Sequence, residues 1–168
     1  MKIAVGSAVK GFRLKEAIKE YLQAQGHTII DVGCHDTGQF YKFTSVGQRI
    51  ALALTSGAAD LAVNCCGSGT GAAISAGKFK NVCAVSCESE QTARLARVVN
   101  DSNCLCLGEA VVTPELGCRI ADAFVSARFQ DAPDIPAAVR AFWREARDEL
   151  MARGPAACPR ELEGLTAP

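Results

Sequence analysis

Residues 64–73 read "NCCGSGTGAA", two cysteines set against Gly67, Gly69 and Gly71 directly after the apolar run 61–63. Small residues between a buried strand and a helix let backbone N–H groups converge on an anion, with the partial positive charge of the helix N-terminus behind them. A thiol at such a place has its thiolate favoured and serves as a base or a nucleophile at neutral pH. Cys66 ends the run and is placed to do this, whereas Cys65 alternates to the other side of the strand. The plainer alternative is that Cys66 is one more buried small residue in a cysteine-rich chain. Two familiar phosphate-binding patterns fail here. One residue too many separates Gly71 from the Gly77-Lys78 pair for a Walker loop, and Phe79 stands where a hydroxyl should meet magnesium. The dinucleotide fingerprint fails because the glycines follow the third predicted strand and not the first.

The elements that must position this loop are legible as an alternation. Short apolar runs at 2–7, 27–33, 61–66, 82–87 and 103–108 read as strands apolar on both faces, as a parallel sheet covered by helices requires. Between them, helices are predicted at about 11–25, 43–57, 71–77, 89–99 and 114–127. Gly26 stops the first of these helices. Thr113 and Pro114 supply an N-cap and a first helical residue for the last. The rhythm predicts an α/β fold, a Rossmann-like doubly wound sheet of about five parallel strands with helices on both faces. Ligands of such sheets bind at the carboxyl ends of the strands, where "NCCGSGTG" falls. Beyond this α/β domain (1–130), a Pro-containing connection leads into a helix candidate without a following strand, so that 131–153 forms a C-terminal helix region placed to contact its own sheet or a partner. The remainder, 154–168, is a Pro-containing tail.

Apolar residues make up 49% of the 168 and charged residues 21%, which is the composition of a folded chain. Eighteen basic and eighteen acidic side chains cancel, so no overall field recruits nucleic acid or an anionic membrane. Met1 leads straight into "KIAVG", no stretch approaches a membrane span, and a cytoplasmic location is expected. The nine cysteines are odd in number and sit mostly inside apolar runs, so they read as reduced, buried thiols. With no CxxC pair and only His27 and His35 as imidazoles, no metal site is expected.

The opening "MKIAVGSAVKGFRLKEAIKEYL", then "CGSGTG" with "GKF", then "ARLARVVNDSNCLCLGEAVV" and "ELGCRIADAFV" resemble, in order and spacing, the type B ribose-5-phosphate isomerases and their galactose-6-phosphate isomerase relatives. The likeness runs over about residues 1–130. It implies a homodimer, with a tetramer as the larger alternative, whose active sites lie between subunits. It also implies an aldose–ketose isomerisation through an enediolate without metal or cofactor, in which a base moves a proton between neighbouring carbons while oriented donors hold the oxyanion. On the resemblance, Cys66 falls at the base, Ser68 at the loop hydroxyl, Gly67, Gly69 and Gly71 at the anion-cradling backbone, and Asn100 at the asparagine of an "HND" motif.

The departures narrow the expectation. Ala8 and Val9 stand where the family has an aspartate and a histidine that contact substrate, and Val99 stands at the ring-opening histidine. Some members use a glutamate base after the loop, and this chain has Ala72 there. Pro133, Asp134 and Ala137 occupy the family's basic phosphate clamp. Charge-assisted bonds contribute about 1.5–3 kcal/mol each, so ribose 5-phosphate itself is not the expected substrate. An open-chain sugar such as a tetrose derivative needs no ring opening. Lys10, and less directly Arg13, offer replacement positive charge, and His35, just after the second strand, offers an imidazole. Two further readings remain open at this stage: a catalytically silent sugar-binding or partner subunit, and a Cys66-dependent acyl-transfer enzyme using His35.

Overall fold

A computed structural model describes residues 1–152. Five strands, β1 (Lys2–Ser7), β2 (Thr28–Asp31), β3 (Leu61–Cys66), β4 (Ala84–Ser86) and β5 (Cys104–Gly108), form one all-parallel sheet in the order β2-β1-β3-β5-β4. Six helices follow or precede them: α1 (Phe12–Ala24), α2 (Phe43–Thr55), α3 (Thr70–Ala76), α4 (Glu90–Asn100), α5 (Pro114–Ser126) and α6 (Ala137–Ala152). The predicted α/β architecture is present, with element ends within a residue or two at most positions. The exceptions are the edges of the sheet. The runs at 27–33 and 82–87 contract to Thr28–Asp31 and Ala84–Ser86, each pairing with a single neighbour over part of that neighbour's length. The predicted tail and Cys158 lie outside the described residues, as does residue 153.

Side-chain size divides the sheet's two faces. Ile3, Val5, Leu61, Val63, Leu105 and Leu107 point to the side covered by α1, α4 and α5. The opposite face presents Ala4, Ala62, Cys66, Cys104 and Cys106, and small residues there let α2 and α3 lie close. The chain leaves β1 toward β2, then crosses back over β1 to reach β3. The connections that follow β1 and β3 therefore diverge on opposite faces of the sheet and leave a crevice at its carboxyl edge.

One helical position contradicts its sequence pattern. Lys15, a charged residue in an amphipathic helix, is only 1% exposed. Its ammonium donates to Asp31 Oδ2 and to the Cys34 carbonyl, both at 2.6 Å, and lies 2.7 Å from Glu16 Oε1. It thereby fastens α1 to the end of β2 and to the start of the loop leading to α2. Burial works against the charged forms of Glu16 and of Lys19, but hydrogen bonding from Lys15 and Lys19 holds the Glu16 carboxyl below its ordinary value, and bonding to Glu16 holds Lys19 above its own. At the other end of the chain α6 buries no residue. It is held by polar contacts: Arg147 Nη1 meets Asp101 Oδ2 at 2.8 Å, Arg144 Nη1 meets Gln130 Oε1 at 2.7 Å, and the Arg147 guanidinium lies over the Phe129 ring.

Removing the buried ammonium leaves the Cys34 carbonyl without its donor and leaves Lys19 as the remaining ammonium beside Glu16 and Asp31. Lys15→Ala is expected to lower the free energy of unfolding by about 3 kcal/mol or more in urea titrations at neutral pH. Because Glu16 is depressed in the folded state, its contribution is present at neutral pH and is lost as pH falls through the carboxylate range. The contribution of Lys19, raised in the folded state, persists to alkaline pH and is lost only as that ammonium deprotonates. Urea midpoints measured across pH check both signs.

Candidate active site

The crevice at the carboxyl edge opens into a cavity of about 510 Å³. Three segments line it, each following a strand: Ala8–Lys10 after β1, Phe40–Thr44 on the way from β2 to α2, and the Cys66–Gly71 loop after β3. Cys66 is 7% exposed, and that exposure is to the cavity. Its Sγ accepts the backbone N–H of Gly69 at 3.1 Å, so the turn into α3 wraps back on the sulfur. Gly69 makes this possible by a left-handed backbone (φ 83°), and a Cβ there would lie 2.7 Å from Ser86 Oγ and 3.1 Å from the Gly108 nitrogen. Ser68 is exposed, its hydroxyl 2.7 Å from that of Thr70.

The neighbouring thiol is in a different situation. Burial, with Cys66 and Glu109 close by, pushes the Cys65 thiol well up, and it stays protonated in the core under α1. Gly11 supports the arrangement from below: a Cβ there would lie 2.6 Å from the Cys65 carbonyl carbon, so only glycine lets α1 start against β3. Since Gly11 has no side chain to cap the helix, Glu109 does so from across the sheet, its Oε2 accepting the Leu14 N–H at 3.2 Å. The eight described cysteines are not joined in disulfides, and burial raises Cys87 to about 11. Among the described residues no cluster of three or more potential metal ligands occurs, and no helix is long and apolar enough to cross a membrane.

Of the predicted site residues, Cys66, Gly67, Ser68, Gly71 and Lys10 line this cavity, and Gly69 shapes the turn beneath it. Lys10 does not belong to a solvated helix face, because α1 begins two residues later. Three other expected residues lie away from this cavity within the single chain. His35 is 59% exposed, faces Asp31 across 3.7 Å and is not part of the cavity wall, because the loop after β2 turns outward there. His27 lies at the opposite, amino edge of the sheet. With both imidazoles away from Cys66, the acyl-transfer reading loses its base. Asn100 is the last residue of α4, just before β5 begins, and so stands at the amino edge, remote from Cys66 of its own chain. Arg13 is exposed on α1 and does not line the cavity.

Ala8 and Val9 do line it, so the two expected polar contacts are replaced by apolar wall. Sequence reasoning missed the facing wall, Phe40, Tyr41, Lys42, Phe43 and Thr44. The only signal was topological, since this segment too follows the carboxyl end of a strand. Phe43 closes on the loop closely enough that a Cβ on Gly71 would lie 3.4 Å from its ring.

With this geometry the chain falls into the class of doubly wound α/β proteins that hold a ligand cavity at the carboxyl edge of the sheet. Residues 3–137 match the family described as Ribose/Galactose Isomerase. The 4-deoxy-4-sulfo-D-erythrose isomerase of Clostridium sp. strain MSTE9 is 37% identical over 131 residues, 78% of this chain and 82% of that protein. Ribose-5-phosphate isomerase B of Escherichia coli K12 is 36% identical over 77% of this chain and 86% of its own length. The D-erythrulose-4-phosphate isomerase of Pectobacterium atrosepticum is 31% identical over 81% and 90%. Among solved structures, ribose-5-phosphate isomerase B of Clostridium thermocellum superposes with a TM-score of 0.79 at 32% identity, covering 89% of this chain and 97% of the other. The chain belongs to the ribose/galactose isomerase family, and with it to the aldose–ketose isomerases.

Forcing a side chain into the turn at residue 69 displaces the N–H from the sulfur. Gly69→Ala is expected to cut isomerase kcat/KM by at least about tenfold with the far-UV circular dichroism unchanged. Gly26→Ala, at a similar φ of 84° but with open space around it, is expected to cost stability and leave kcat/KM as it was.

Proposed function

We propose that this protein interconverts the aldose and ketose forms of a four-carbon sugar carrying an anionic group at C4, with Cys66 as the base. The thiolate removes the proton from C2 of the aldose as electrons move onto the C1 carbonyl oxygen to give an enediolate; the O2 hydroxyl proton passes to O1, and the Cys66 thiol, which exchanges with solvent in between, delivers a proton to C1 to give the ketose. Backbone N–H groups of the Gly67–Gly71 turn and the hydroxyls of Ser68 and Thr70 are the donors available to the developing oxyanion. The observation that carries this reading is the Cys66 sulfur, faced by the Gly69 N–H on one side and the cavity on the other.

The substrate class rests on what the cavity lacks. A tetrose substituted at C4 has no hydroxyl able to close a five-membered ring, so it stays open-chain and needs no acid to open it. That fits Val99, Ala8 and Val9 where polar groups are expected for a cyclic pentose phosphate. Two relatives named for four-carbon substrates, a sulfonated erythrose and erythrulose 4-phosphate, support the same choice.

The quaternary reading is a homodimer. Asn100 at the amino edge can reach only the Cys66 site of another copy, and Phe142, Val139 and Leu150 on α6 and Leu52, Ile74 and Phe79 on α2, α3 and the turn beyond α3 are exposed apolar side chains suited to cover. Light scattering is expected to give twice the 17.7 kDa of one chain.

Proton exchange tests the chemistry. In deuterated water the protein is expected to place deuterium beside the carbonyl of 4-deoxy-4-sulfo-D-erythrose or D-erythrose 4-phosphate, and Cys66→Ala is expected to slow this by about a thousandfold or more. Binding without exchange in the wild type would instead identify a silent sugar-binding subunit.

A further inference from the structure

We propose that Lys42 holds the tetrahedral oxyanion, phosphate or sulfonate, at C4 of the substrate, and so replaces the basic clamp that residues 133, 134 and 137 do not supply; this rests on the isomerase reading above for what the ligand is. An anion entering a cavity walled by Ala8, Val9, Phe40 and Phe43 loses water and must be compensated by a cation. The lining contains two, Lys10 and Lys42, and no carboxylate. The neighbouring hollow of about 440 Å³, which shares Lys42, adds Arg49 and again no carboxylate.

Neither lysine is engaged elsewhere. Lys15 and Lys19 are tied into ion pairs, whereas the side-chain ammonium groups of Lys10 and Lys42 take part in no ion pair or hydrogen bond with the described residues. Their positions differ in a way that divides the work. Lys10 adjoins the reacting end, since a Cβ on Gly67 would lie 3.6 Å from its own Cβ. Lys42 belongs to the facing wall, immediately before α2, whose first turn has no side-chain cap. With C1 and C2 beside Cys66, the chain of the sugar extends away from the thiol, and its C4 group points to that wall. Behind it, the Arg49 guanidinium lies 5.5 Å from the centre of the Tyr41 ring and donates to the Val32 carbonyl, fixing Tyr41 and adding positive charge on the same side.

The test is equilibrium binding by titration calorimetry of unreactive acid analogues: 4-phospho-D-erythronate, its 4-deoxy-4-sulfo counterpart, and D-erythronate, which lacks the terminal anion. The wild type is expected to bind one of the anionic analogues at least about thirtyfold more tightly than D-erythronate. Lys42→Gln is expected to reduce that ratio by about tenfold or more, and Lys42→Arg to keep it within about threefold. Whichever anion loses more on Lys42→Gln is the headgroup this lysine serves. An unaltered ratio in Lys42→Gln overturns the assignment. The two readings fail separately: no exchange in deuterated water with the binding ratio intact removes the isomerase and leaves Lys42 in place, while exchange with a ratio insensitive to Lys42→Gln does the reverse.

Discussion

The structure turns on one hydrogen bond, from the Gly69 amide to the Cys66 sulfur across 3.1 Å. It exists because the chain reverses immediately after β3 through a left-handed residue packed between Ser86 and Gly108, where no Cβ fits. The sulfur is therefore held at the floor of a cavity with a backbone dipole aimed at it. A neighbouring thiol of identical chemistry, Cys65, points into hydrocarbon and is inert. One pleat of a strand separates the thiol we propose as the base from a core residue.

The sheet order gives that sulfur something to act on. Parallel strands whose connections diverge to opposite faces leave an unfilled crevice at their carboxyl edge, and here β1 and β3 flank it. Close approach of α1 to β3 at Gly11 and the Glu109 cap on its first turn set one wall. Lys15 sets the other indirectly, by tying the loop after β2 to α1 before that loop runs on to Phe40–Thr44. Both walls are thus braced by contacts made away from the cavity.

The cavity itself combines apolar surface with unopposed positive charge. Such a lining discriminates by ligand shape and charge more than by hydrogen-bond pattern, and the short, open-chain, anionic substrate proposed above is chosen on that ground. Asn100 and α6 stand at the far edge of the sheet from this cavity, and it is on the proposed homodimer that a role for them at a site rests.

The residues of this chain determined by themselves what is local and periodic. Apolar runs of strand length alternating with amphipathic helices specify a parallel α/β sheet, and glycines after the third run mark the loop at its carboxyl edge, because side-chain periodicity and turn chemistry are properties of neighbouring residues. They also carried Cys66, through its place at the end of a strand. What needed the tertiary structure was every relation between distant segments. A loop residue such as His35 and a helix-end residue such as Asn100 have no sequence mark saying which edge or wall they reach, and the first turned outward while the second fell at the opposite edge. The burial of Lys15 and the wall of Phe40, Tyr41 and Lys42 were equally invisible, since each is created by packing between elements that are far apart in the chain, and only the folded arrangement decides which charges are neutralised and which remain to meet a ligand.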